Sequence, residues 1–233
     1  SPSSLPTPAL RHNLPPQPTP FIGRKRELAE IGRRLSDRHC RLLTLVGPGG
    51  IGKTRLALQA AQTFVRPVMD ECLFKDGIYF ASLAAVSSTE GVVLAVAEAT
   101  GVSLYGNVSP KQQVLDFLRS KDLLLVLDNL EQLLNLPPDP MEKAMSPRQT
   151  AGSVTGFVTE LLAAAPHIKI LVTSREALNV QEAWFHPVEG MSFPTGDGLS
   201  FGGDESPVGS GAAALEQYDA VQFFVQSAAR ARA

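Results

Sequence analysis

The chain has 233 residues, 44% of them hydrophobic, with 21 Lys+Arg against 23 Asp+Glu and a formal net charge of −2. That balance excludes a strongly basic chain that binds nucleic acid by bulk charge, and the apolar content excludes a disordered polyampholyte. Two cysteines, Cys40 and Cys72, allow at most one disulfide, which is no framework for a small secreted fold.

The longest apolar runs, such as Leu123 to Leu127, are strand-sized and far short of the roughly 18 residues that a membrane span needs. The chain opens without Met and without a charged-then-apolar leader. It reads as a piece of a cytoplasmic protein with no membrane partner.

Residues 1–20 hold seven of the 18 prolines and read as an extended linker. Leu42 to Val46 is a short apolar run that ends in glycines, hence a buried strand. Thr54 to Val65 sets Leu56, Ala57, Ala60, Ala61 and Phe64 on one helical face. Ile78 to Phe80, after Asp76-Gly77, reads as a strand. Ser87-Ser88-Thr89-Glu90 reads as a capping box that opens a helix through Ala99, with Gly101 past its end. Ser109-Pro110 reads as N-cap and first residue of a helix to about Arg119.

Leu123 to Leu127 is the next strand. Residues 136–149, with four prolines, form a weak zone. Val154, Phe157, Val158, Leu161 and Leu162 make an amphipathic helix stopped by Pro166, and Ile168 to Val172 is a strand. Trp184 and Phe185 read as core or as a strand packed on the glycine-rich zone at about 190–211, itself a surface insertion. Val221, Phe224, Val225, Ala228 and Ala229 repeat the helical spacing in a final helix.

Strands without polar alternation, separated by helices, imply a parallel sheet covered on both faces. The expected fold class is α/β, three layers with helices flanking the sheet. The expected division is a linker at 1–20, a main domain at 21–213, and a helix at 214–233.

Gly47-Pro48-Gly49-Gly50-Ile51-Gly52-Lys53-Thr54 matches G-x-x-x-x-G-K-[ST] between a strand and a helix. Glycines let the backbone wrap a phosphate, successive N–H groups and the helix N-terminus point at the anion, Lys53 supplies a point charge, and the Thr54 hydroxyl suits Mg²⁺. A chance match in a chain this long has odds of roughly 1%, so the α/β domain at 21–213 is expected to be a P-loop NTPase that binds a nucleotide. Arg55, next to the loop, joins the nucleotide-binding set. Asp128 ends a buried strand, where it would stand beside the loop and share the Mg²⁺.

Asn129 occupies the position where many such ATPases carry an acid that polarises water, and an amide is no base. Glu131 could substitute, or could simply start a helix in solvent. Slow hydrolysis is therefore expected. Arg175, at the tip of the strand that ends Thr173-Ser174, would sense a γ-phosphate. His12, His39, His167 and His186 show no zinc spacing with the cysteines. Arg24-Lys25-Arg26 and Arg33-Arg34 read as solvated helix surface, so no nucleic-acid contact by this domain is expected.

Taken together, Gly47 to Thr54, Leu123 to Asn129 and Thr173-Ser174-Arg175 resemble the STAND class of signal-transduction ATPases. These are close to AAA+ proteins and include NB-ARC modules. Asp128-Asn129-Leu130-Glu131 is similar to the D-N-x-E variant of its bacterial transcriptional regulators. Asn13-Leu14-Pro15 with Phe21-Ile22-Gly23-Arg24-Lys25-Arg26-Glu27-Leu28 is similar to the lead-in motif of that branch, although Phe21-Ile22 also suits a hydrophobic staple before a helix.

The resemblance covers about Asn13 to Val188 and resumes at Asp219 to Arg232. It implies that Phe21, Ile22, Gly23 and Arg24 lie against adenine and ribose. It also implies an ATP/ADP switch that self-associates when ATP is bound and drives effector domains outside this chain. An ordinary turnover AAA+ enzyme, a small-molecule kinase, and an interaction module with a structural nucleotide are the alternatives. Residues 218–233 would be the first helix of a following subdomain or a loose tail.

Overall fold

The computed structural model describes residues 10–65, 72–134, 153–194, 215 and 218–231. The zone at 136–149 and residues 195–211 of the later zone lie outside the described residues.

In chain order the elements are α1 (Lys25–Ser36), β1 (Leu42–Val46), α2 (Lys53–Thr63), β2 (Gly77–Ser82), α3 (Thr89–Thr100), α4 (Pro110–Leu118), β3 (Leu123–Asp128), α5 (Glu131–Leu134), α6 (Val154–Ala164), β4 (Lys169–Ser174), β5 (Ala183–Pro187) and α7 (Asp219–Ala231). The five strands form one sheet in the order β2-β3-β4-β1-β5, and every pairing is parallel. This is the expected P-loop NTPase class.

The sheet is buried on both faces because its strands are apolar at consecutive positions. Every residue of β3 is buried. Leu123, Leu125 and Leu127 face one core with α3, α4 and α6, whereas Leu124 and Val126 face the other with α1 and α2. Alternate side chains point to opposite faces, so a run without polar residues requires a helical layer on each side. Fully covering one such leucine is worth about 1.5–3 kcal/mol.

Local signals account for most helix ends. Ser109 accepts from the Gln112 N–H with Pro110 in the first turn, and Gly101 closes α3 at φ 73°. The α3 cap is Ser88, which accepts from the Gly91 N–H; this is one residue later than the expected box, so Glu90 falls out of register for the reciprocal bond. Helix α2 keeps its predicted buried face through Ala61, while Phe64 falls just past its end and packs edge-on against Phe74 at 5.3 Å.

Three further expectations need correction. From Leu10 onward the proline-rich segment is no free linker but is tied to the body: His12 bridges Ile78, the Asn13 amide brackets the Phe80 backbone (3.0 and 2.6 Å), and Leu14 is buried. Proline removes its own donors, yet the free edge of β2 supplies partners for Arg11 and Asn13.

Trp184 and Phe185 do form a strand, but β5 is an edge strand and both rings are more than a third exposed, so neither is core. The apolar stripe of α7 turns outward, with Phe224 73% exposed. The helix docks through its first residue, Asp219, which accepts from the Arg24 N–H at 2.9 Å.

Candidate functional site

The loop between β1 and α2 is pinned at its base. Gly47 N–H donates to Ser174 on β4 at 3.3 Å, and a Cβ on Gly47 would stand 2.7 Å from the Val188 carbonyl. Gly52 caps α2 at φ 96°, a conformation open to glycine at little cost. Lys53 is buried, and its ammonium donates to the Gly47 and Pro48 carbonyls at 2.7 and 3.0 Å. Burial holds the Lys53 pKa below its usual value and Arg175 adds to the shift, while Glu131 and Asp128 oppose it.

The acid arrives from β3. Because β4 lies between β1 and β3, Asp128 and the loop are not sheet neighbours. The Thr54 hydroxyl nevertheless donates to Asp128 Oδ1 at 2.7 Å. The Thr173 hydroxyl, on the intervening strand, donates to the same oxygen at 2.6 Å and accepts from Asn129 N–H at 3.0 Å. Asn129 has a left-handed backbone at φ 64°, which its short polar side chain tolerates. A hydroxyl and a carboxylate in contact are a hard-oxygen pair that fits Mg²⁺, an ion that usually keeps several water and phosphate ligands.

Arg175 follows β4 and pairs with Glu131, Nε to Oε1 at 3.2 Å. Its guanidinium lies against the loop, where a Cβ on Gly49 would meet Nη2 at 3.2 Å. A cavity of about 260 Å³ separates these parts. It is lined by Gly49, Gly50, Gly52, Lys53, Thr54 and Arg55 of the loop, and by Asn129, Glu131 and Arg175. Asp128, 5% exposed, reaches it through Thr54.

Phe21, Ile22 and Arg24 gather on the other side of the loop. With Pro20, Ile51, Met191 and Phe223 they line a smaller cavity of about 40 Å³, and Gly52 and Arg55 belong to both walls. Gly23 (φ 68°) lies against the Asp219 carboxyl. Arg24 turns inward: its guanidinium binds Glu27 at 2.6 Å, the Ile51 carbonyl at 2.8 Å and the Glu189 carbonyl at 3.0 Å. Arg55 donates to the Thr19 carbonyl at 2.6 Å and to that of Pro20. The sequence-selected positions therefore flank the loop on two sides, and Gly52 and Arg55 are common to both cavities.

Sequence reasoning missed Thr173 as a site residue. Its signal is a hydroxyl at the carboxyl end of an otherwise apolar strand. It also missed Met191, Phe223 and Asp219, which come from the far end of the chain and carry no local motif.

Comparison with known proteins agrees with this geometry. Residues 35–159 match the family model described as AAA domain. The chain is 30% identical over 172 residues to an uncharacterized protein of Mycobacterium tuberculosis (strain H37Rv), which covers 74% of this chain and 37% of that one. It is 33% identical over 140 residues to a protein of the same organism provisionally named as an HTH-type transcriptional regulator, which covers 60% of this chain and 13% of the relative. This chain thus spans well under half the length of these curated relatives.

Among solved structures it is similar to the Aeropyrum pernix ORC2 protein in ADPNP–ADP complexes, with 16% identity, a TM-score of 0.48, and coverage of 72% of this chain and 49% of that one. The matched stretch carries the glycine loop and the Asp128 strand end on the five-stranded parallel sheet just described, so the chain belongs to the AAA domain family of P-loop ATPases.

Proposed function

We infer that this chain is the nucleotide-binding module of a signal-transduction ATPase. It takes ATP or ADP with Mg²⁺, hydrolyses ATP slowly, and uses the presence of the γ-phosphate to switch conformation and self-association in the longer protein. One observation carries the reading: Thr54 and Asp128 meet at 2.7 Å beside a cavity that Lys53 also lines.

The anion-binding parts, namely loop amides, the α2 N-terminus and a cation, are on one side of that cavity. Mg²⁺, held by Thr54 and Asp128, would neutralise phosphate charge. Gly47 to Thr54 would cradle the phosphates, and the Phe21-Ile22 wall would meet the base.

Slow turnover is favoured over rapid chemistry because Asn129 offers no proton acceptor where an acid commonly stands. Arg175 lines the same cavity, within reach of a terminal phosphate. A guanidinium so placed can bind ATP more favourably than ADP, and that differential contact is what a switch requires.

The test is calorimetric titration of ATP and ADP, with Mg²⁺, into the protein and into Lys53→Ala. The expected result is at least about a tenfold loss of affinity in the variant, equivalent to roughly 1.4 kcal/mol. Unchanged affinity would overturn the reading. In the full-length parent, sedimentation should show larger assemblies with a non-hydrolysable ATP analogue than with ADP.

A further inference from the structure

The base-side cavity is closed by a residue from the far end of the chain. Phe21 and Ile22 share its wall with Met191 and with Phe223 of α7, and about 40 Å³ is left between them. The neighbouring cavity at the phosphate loop has about 260 Å³. Pockets that bury a small molecule run from about 300 Å³ upward. The phosphate side is therefore open, while the base side has room for no more than a few waters.

Helix α7 reaches this cavity through a latch at its first turn. The Asp219 carboxylate accepts the Arg24 N–H at 2.9 Å and leaves no room for a Cβ on Gly23, so the approach requires glycine there. Ser192, the residue after Met191, accepts the Asp219 N–H on its hydroxyl and the Ala220 N–H on its carbonyl, both at 3.1 Å. Phe223, four positions after Asp219, falls on the same helical face and lines the cavity. The stretch that follows is loosely held, with Phe224 73% and Val225 54% exposed. A helix fixed near one end, with few buried apolar contacts, opens at low free energy.

We propose that α7 is a plug: Phe223 fills the place of the nucleotide base, so that docking of α7 and entry of a base exclude each other. The proposal rests on the reading of the adjoining cavity as the phosphate end of a nucleotide site. The Phe21-Ile22 wall is apolar, and a phenylalanine ring or the flat face of a base covers it by the same burial of surface. A base that enters displaces Phe223, strains the Asp219 latch and releases α7. Occupancy by ADP or by ATP is thereby read out as the position of α7, independently of any contact to the γ-phosphate. The coupling is reciprocal, so whatever holds α7 away from the body raises nucleotide affinity.

The experiment compares the parental chain, Phe223→Ala and Asp219→Ala by calorimetry with ATP, ADP and inorganic tripolyphosphate, each with Mg²⁺. Tripolyphosphate carries phosphates without a base. Neither side chain is buried, so the fold should persist in both variants. Each variant is expected to gain about fivefold or more in ATP and ADP affinity and to bind tripolyphosphate as the parent does, because only a base competes with Phe223. In the parental chain, hydrogen exchange of the α7 amides should quicken with ADP and stay unchanged with tripolyphosphate.

Unchanged or weaker nucleotide affinity in either variant, an equal gain for tripolyphosphate, or α7 amides that slow or do not respond to ADP would overturn the proposal. A parental chain that binds none of the three ligands would instead overturn the underlying reading of the site.

Discussion

Thr54 and Asp128 are joined by a 2.7 Å hydrogen bond although 74 positions and one intervening strand separate them. The contact exists because parallel strands end on the same side of the sheet, and the loop after β1 arches across the end of β4 to reach β3. Two oxygen donors are thus brought together at the mouth where loop amides converge.

Asp128→Asn tests what that pairing is for. The amide oxygen can still accept from Thr54 or Thr173, so the fold should survive, but the negative charge that would hold Mg²⁺ is gone. Affinity for ATP with Mg²⁺ should fall about tenfold or more. Affinity measured in excess chelator should change little. Removing Mg²⁺ from the parent protein should erase most of the difference between the two, as paired titrations would show.

Thr173 carries a second prediction. Its hydroxyl serves two neighbours, Asp128 Oδ1 and the Asn129 N–H, and is fully buried. Thr173→Val keeps the volume and leaves a buried amide without an acceptor and a carboxylate with one donor fewer. Stability should drop by about 1–3 kcal/mol in urea titration. Thr173→Ser, which retains the hydroxyl, should recover most of that loss.

Arg24 sits at the centre of a different network, with bonds to Glu27, Ile51 and Glu189. Arg24→Ala would leave a partly buried Glu27 and two carbonyls without their donor. A loss of about 3 kcal/mol or more is expected, since breaking a buried ion pair costs more than the pair is worth. Thermal unfolding reads it directly. Burial already raises the Glu27 pKa against the opposing pull of Arg24, so the variant's Glu27 should titrate higher still.

His186 gives the pH dependence. It is buried on β5, neither ring nitrogen has a hydrogen-bond partner, and burial holds its pKa below the usual 6.5; Glu30, 3.9 Å away, opposes the shift while Arg34 reinforces it. In the window between the lowered folded value and 6.5 the unfolded chain binds the proton and the folded one does not. Its contribution to stability is therefore whole above 6.5 and is lost as the pH falls toward the folded value. His186→Phe should flatten the decline in urea midpoint below pH 6.5. A decline as steep as the parent's would show that His186 does not cause it.

The glycine loop, the strand-ending aspartate and the alternation of apolar runs with amphipathic segments were legible because each is a local pattern. A phosphate cradle needs glycines at set spacings, and a strand covered on both faces needs consecutive apolar residues. Even the caps at Ser109 and Gly101 follow from neighbours in sequence. The α7 stripe shows the limit of such patterns: the helical spacing of Val221, Phe224 and Val225 is present, yet Phe224 faces solvent, because amphipathicity says which face could be buried and not whether anything covers it.

By itself, then, the order of residues determined the fold class, the positions of the elements and the residues of the phosphate loop. Only the tertiary structure decided which groups those residues meet. Strand order placed β4 between β1 and β3, and so made Thr173 the link between Asp128 and Asn129. Docking of α7 gave the Arg24 N–H a carboxylate from 195 positions away, while the turn at Asn129 set Glu131 against Arg175. Hydrogen bonds and ion pairs act over a few ångströms, and which distant segments come that close is set by the pairing and packing of the whole sheet.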